Sequence, residues 1–90
     1  MVKVEMYSTA WCPYCIRARH LLKQKGVDYT EIRIDLNPEQ HAMMIQRSTC
    51  FTVPQIFIND RPIGGYDDLT QLDALGQLNQ LLQAAESGTL

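Results

Sequence analysis

Cys12 and Cys15 flank Pro13-Tyr14 where a strand-like pattern gives way to a helix-like one, and this junction constrains the fold more than any other feature of the chain. Val2, Val4 and Met6 alternate with Lys3, Glu5 and Tyr7, the period of a strand with one face more apolar than the other. That strand should end near Ser8-Thr9. Pro13 then suits the first turn of a helix, where its missing N–H costs nothing, and Cys15, Ala18 and Leu22 follow at helical spacing beside Leu21. Lys23, Lys25 and Gly26 supply the end of that helix.

Two thiols one helical turn apart can be reversibly joined. Cβ atoms at i and i+3 lie about 5–6 Å apart and a disulfide needs roughly 3.5–4.5 Å, so a small adjustment in the first turn closes the bond without dismantling the fold. Unpaired backbone N–H groups at the helix start favour a thiolate at Cys12, while Cys15 lies further inside the turn. The helix dipole supplies at most about 2 kcal/mol of this preference, so direct hydrogen bonds must add to it. The expected donors are the backbone N–H groups of Tyr14 and Cys15 and the Cys15 thiol, because Pro13 cannot donate. Cys12 is thus the expected catalytic nucleophile and Cys15 its catalytic redox partner. Passive packing of both cysteines as small hydrophobes is the weaker reading of strand, Cys-x-x-Cys and helix in that order. A zinc site needs four ligands, and Cys50, His20 and His41 stand at no recognisable ligand spacing from the pair. No metal is expected.

Downstream, Tyr29, Ile32 and Ile34 suggest a second strand, and Asn37-Pro38-Glu39 reads as the cap and start of a second helix with Ala42, Met43, Met44 and Ile45 on its apolar face. Val53 to Ile58 looks like a third strand, Asn59-Asp60 like a hairpin turn, and Arg61-Pro62-Ile63 like a fourth strand that Pro62 assigns to an edge. Asp67 or Asp68 can cap a final leucine-rich helical segment, interrupted at Gly76, and residues 85–90 are expected to fray. The predicted order is β-α-β-α-β-β-α, an α/β chain with one parallel crossover followed by a hairpin.

Ninety residues suffice for one domain, residues 1–90, and 46% apolar with 20% charged residues is ordinary globular usage. A formal charge of −2 gives no field for a phosphate backbone, so nucleic acid is not expected as a partner. Charges at Lys3 and Glu5 interrupt any secretory core, and no stretch approaches the length of a membrane span. Three cysteines, two of them only two residues apart, make a poor extracellular disulfide framework. A cytoplasmic, monomeric protein without membrane partners is expected.

Cys12-Pro13-Tyr14-Cys15, the run Thr52-Val53-Pro54-Gln55-Ile56-Phe57-Ile58 and Gly64-Gly65-Tyr66-Asp67-Asp68-Leu69 together resemble the glutaredoxins, specifically the short bacterial dithiol kind. Their order and spacing span most of the chain. The resemblance implies a thioredoxin-like fold: a four-stranded mixed sheet with the first strand central and helices on both faces. It also implies a cis bond before Pro54 and glutathione as co-substrate, bound by Tyr14, Thr52, Val53, Pro54, Gly65, Tyr66, Asp67 and Asp68. The implied activity is glutathione-dependent reduction of protein disulfides and of glutathione mixed disulfides. Thr9-Ala10-Trp11 stands where many relatives carry a lysine, which leaves Arg17 or Arg47 as candidates to supply that charge. Two alternatives stay open at this stage: an electron donor reduced by thioredoxin reductase, and an iron–sulfur cluster carrier.

Overall fold

The computed structural model describes residues 2–87. The elements are β1 (Val4–Ser8), α1 (Pro13–Gln24), β2 (Thr30–Arg33), α2 (Pro38–Ser48), β3 (Gln55–Ile58), β4 (Arg61–Gly64), α3 (Tyr66–Ala74) and α4 (Gln77–Ser87). Both prolines expected to open helices do so, at the starts of α1 and α2. The Asn37 side chain caps α2 by accepting from the Glu39 N–H at 3.2 Å. The leucine-rich end forms two helices, because Gly76 adopts φ +75° between α3 and α4. Helix α4 is assigned as far as Ser87, and residues 88–90 of the tail expected to fray lie outside the described residues.

The strands form one mixed sheet in the order β2-β1-β3-β4. β1 runs parallel to β2 and antiparallel to β3, and β4 closes the sheet by pairing antiparallel with β3. Asn59 and Asp60, at φ 51° and 67°, make the tight hairpin turn between β3 and β4, and Pro62 lies on the edge strand as its missing donor requires.

The core has two parts, one on each face of the sheet. Val4, Met6, Ile56 and Ile58 meet Ala18 and Leu22 of α1, Leu69 of α3, and Leu78 and Leu82 of α4. On the other face Tyr7 and Phe57 meet Met44 of α2. Tyr7, expected on the polar face of the first strand, is therefore buried, because α2 covers the side that alternation alone leaves to solvent. Within α2 only Met44 is fully buried, whereas Ala42 and Met43 face solvent. Arg47 of α2 lies over the Phe57 ring, 4.0 Å from its centroid, and donates to the Tyr7 hydroxyl at 2.8 Å and to Glu5 at 3.0 Å. It belongs to this structural face, which removes it as a compensating charge beside the cysteines.

A polar tie joins the strands to α1 below the cysteine pair. Arg19 grips Glu31 of β2 with two hydrogen bonds at 2.9 and 2.6 Å, and the buried Ser8 hydroxyl of β1 donates to the same carboxylate at 2.7 Å. Arg19, and then Ser8, hold the Glu31 carboxyl below the usual carboxylate range against the opposing effect of burial. A carboxylate depressed in the fold contributes stability that is present above about pH 4.3 and is lost as pH falls through its lower folded value. Glu31→Gln is expected to lower stability at pH 7 by about 1 kcal/mol, or roughly 4–8 °C in midpoint. Thermal unfolding from pH 6 to 3 should then fall less steeply for the variant than for the native chain.

Candidate functional site

The start of α1 delivers both thiols. Cys12 is the N-cap, in extended conformation at φ −98° and ψ 112°, and its sulfur accepts from the Cys15 N–H at 3.3 Å. This is one of the donors that helix geometry leaves unpaired in a first turn. Cys12 is partly exposed, whereas Cys15 is fully buried among the apolar residues of α1, and both are free thiols. Burial first, and then its hydrogen bond to Cys12, push the Cys15 thiol up to about 12, so Cys15 stays protonated while Cys12 faces solvent. The expected division of labour therefore has a physical basis: an accessible sulfur beside a protected thiol. Among the described residues no group of three or more His, Cys, Asp or Glu side chains is placed to hold a metal ion.

Opposite Cys12 stands the turn into β3. The Val53–Pro54 bond is cis, as the resemblance implies, and the Val53 carbonyl oxygen lies 3.7 Å from the Cys12 sulfur. Beside it opens a groove of about 460 Å³ lined by Tyr14, Thr52, Val53, Pro54, Gly65, Tyr66, Asp67 and Asp68. All eight expected binding residues are thus brought to one concavity. Tyr14 of α1 approaches Tyr66 of α3 with ring centroids 6.1 Å apart, and the Arg17 guanidinium sits over the Tyr14 ring at 5.6 Å. Of the two arginines considered as a compensating charge, only Arg17 reaches the groove's edge.

The far end of the groove is the start of α3. Gly65 is its N-cap, so Asp67 and Asp68 fall inside the first turn and neither takes the capping position expected of them. Asp68 instead reaches back, its carboxylate accepting from the Gly65 N–H at 3.0 Å. That bond ties the Asp68 carboxylate to the turn, while Asp67 lines the groove. Gly64, at φ +116°, permits the approach, since a side chain there would collide with the Asp68 carboxylate. Helix geometry leaves the first N–H groups of α3 without intrahelical partners, so an anion in the groove meets donors at this end.

Three groove residues lie outside the expected set: Cys50, Gln55 and Gly64. Gln55 is a buried polar residue whose amide donates to the Thr52 carbonyl at 3.0 Å, fixing the turn that carries Val53. A polar residue inside the otherwise apolar Val53–Ile58 run was the available signal for it. Cys50 is exposed in the loop from α2 to β3, and its place two residues before Thr52 was the available signal that it reaches the groove.

Comparison with known proteins follows the same lines. A family model described as Glutaredoxin matches residues 4–63. The chain is 50% identical over 84 residues to "Glutaredoxin" of Pseudomonas aeruginosa, covering 93% of this chain and 100% of that one. It is 52% identical over 83 residues to "Glutaredoxin 3" of Escherichia coli, covering 92% and 100% respectively. Among solved structures, a buckwheat glutaredoxin–glutathione complex superimposes with a TM-score of 0.85 at 29% identity, covering 92% of this chain and 78% of that one. The solution structure of glutaredoxin from Brucella melitensis gives 0.80 at 46% identity, covering 91% and 89%.

Proposed function

The chain belongs to the glutaredoxin family of thiol–disulfide oxidoreductases, and from that premise we propose that it uses glutathione to reduce glutathione mixed disulfides and protein disulfides through Cys12 and Cys15. The observation that carries this reading is the groove beside Cys12, which brings Tyr14, Thr52, Val53, Pro54, Gly65, Tyr66, Asp67 and Asp68 together. Its volume of about 460 Å³ is within the range of small-ligand sites. The solved buckwheat neighbour is a glutaredoxin–glutathione complex, which supports glutathione as the occupant.

In this reading the backbone of Val53 pairs with the cysteinyl backbone of glutathione as an added strand. The first N–H groups of α3 receive the γ-glutamyl carboxylate, and Asp67 accepts from its ammonium. The Cys12 thiolate attacks the glutathionyl sulfur of a mixed disulfide, the old S–S bond breaks, and the substrate leaves as a thiolate that takes up a proton. A second glutathione thiolate attacks the Cys12-bound glutathione, which departs as glutathione disulfide and returns the Cys12 thiolate. On a protein disulfide, Cys12 forms a mixed disulfide with one substrate sulfur and releases the other as a thiol. Cys15 then attacks the Cys12 sulfur, gives up its proton to the departing substrate, and closes the Cys12–Cys15 disulfide. Two glutathiones restore the dithiol and are oxidised to glutathione disulfide. A reducing compartment such as the cytoplasm suits this cycle, with the chain acting as a monomer.

Replacing glutathione by cysteinylglycine removes the γ-glutamyl group and leaves the thiol. KM should rise at least about tenfold, the scale of one or two lost charge-assisted hydrogen bonds. Asp67→Ala should raise KM for glutathione and leave KM for cysteinylglycine unchanged. Equal KM values for both thiols in the native chain would contradict the groove assignment.

A further inference from the structure

The resolving thiol must carry charge in a place that opposes it. Cys15 is 0% exposed, and burial is the first cause that pushes its thiol up. Yet whenever the Cys12–Cys15 disulfide closes or opens, Cys15 attacks or departs as a thiolate. Two groups favour that charge: the Thr9 backbone, which hydrogen-bonds to Cys15, and the Arg19 guanidinium.

Helix geometry brings Arg19 there. It stands four residues after Cys15 on α1, the spacing at which side chains share a face about 5–6 Å apart, and helical side chains lean back over the preceding turn, here toward Cys15. A free arginine would carry its charged head out into water. Here two hydrogen bonds, at 2.9 and 2.6 Å, hold the guanidinium on Glu31, which is fixed in turn by the buried Ser8 hydroxyl at 2.7 Å. The Arg19 side chain is consequently only 28% exposed. Ser8 ends β1 and Thr9 follows it, so one stretch of chain supplies both the anchor of the Glu31 carboxylate and the backbone bond to Cys15. The other ionisable groups around this cluster are Cys12, which faces Cys15, and Tyr29 and Arg33, which act on Arg19 and Glu31 from the β2 side.

We propose that Arg19 is a positioning residue for the resolving step: held by Glu31, its guanidinium offsets the negative charge on the Cys15 sulfur as that sulfur attacks Cys12 or departs from it. The tie that joins α1 to the strands thus has a second use. The proposal rests on the Cys12–Cys15 cycle described above and is independent of which thiol reduces it.

Opening of the Cys12–Cys15 disulfide by dithiothreitol tests it. A dithiothreitol thiolate attacks the Cys12 sulfur, Cys15 departs as a thiolate and takes up a proton, and the second dithiothreitol thiol closes its ring and frees Cys12. Arg19→Met should slow this opening about tenfold at pH 7, and Arg19→Lys, which keeps the charge, should restore it to within about threefold. Glu31→Gln removes the opposing negative charge and keeps an acceptor for Arg19, so it should speed the opening about threefold although it lowers stability. A merely structural tie predicts slowing in both, since both substitutions weaken the same link. Equal loss in Arg19→Met and Glu31→Gln, or a lysine variant as slow as the methionine one, would overturn the role. Arg19→Gln gives the same reading should the methionine variant fail to fold. A native chain whose intact mass shows no Cys12–Cys15 disulfide after oxidation would overturn the cycle itself, whereas a disulfide that opens equally fast in every variant would overturn only the part assigned to Arg19.

Discussion

Cys12→Ser is expected to bring both the removal of glutathione from mixed disulfides and the reduction of protein disulfides down to the uncatalysed rate. The fall should be on the order of 10³-fold or more, the scale that loss of a covalent nucleophile carries. A serine hydroxyl in the same N-cap position keeps the hydrogen bond from the Cys15 N–H and so preserves the start of α1, but it cannot form the S–S bond on which both cycles depend. Thermal unfolding should therefore be nearly unchanged while activity disappears. Cys50 makes this a sharp test, because it is an exposed thiol in the same groove. Activity that survives Cys12→Ser and vanishes on adding Cys50→Ser would move the nucleophile to Cys50.

Cys15→Ser should separate the two activities. Removal of glutathione uses one enzyme thiol and should stay within about threefold of the native rate, whereas reduction of a protein disulfide should fall on the order of 10²-fold or more. The difference reflects proximity: Cys15 attacks the mixed disulfide from within the same helical turn, while external glutathione must do so from solution. Intact-mass measurement should find the substrate protein bonded to Cys12 in the variant. Cys15 is fully buried, so a hydroxyl there carries a desolvation cost, and Cys15→Ala supplies a variant that keeps the site apolar. Equal loss of both activities in the alanine variant would mean that Cys15 acts by shaping the Cys12 site and has no resolving role.

What was legible in the sequence was mostly local. Pro13 and Pro38 open helices, and Asn59-Asp60 turns a hairpin, because each restricts its own backbone without reference to distant residues. Tyr7 departs from the alternation because its burial depends on α2, which lies more than thirty residues downstream. The same distance hid the attachment of Arg47 to Glu5 and Tyr7. At the site, the two cysteines and the helix start could be read from spacing, whereas the convergence of Tyr14, Thr52 and Asp67 on one groove could not. That convergence, like the cis bond before Pro54, entered through resemblance to a family. The inward turn of Asp68 depends on Gly64 at positive φ, so only coordinates could distinguish it from Asp67.

That Cys12 draws its electrons from glutathione is the expectation on which both cycles rest. Its most direct test is the rate at which the native chain removes glutathione from a glutathionylated peptide, with glutathione, glutathione reductase and its reduced nicotinamide cofactor as the only electron source. Turnover well above the uncatalysed rate, saturating in glutathione, is the predicted result. Folded, reduced protein that adds nothing to the uncatalysed rate, and that turns over once thioredoxin reductase is supplied instead, would contradict it.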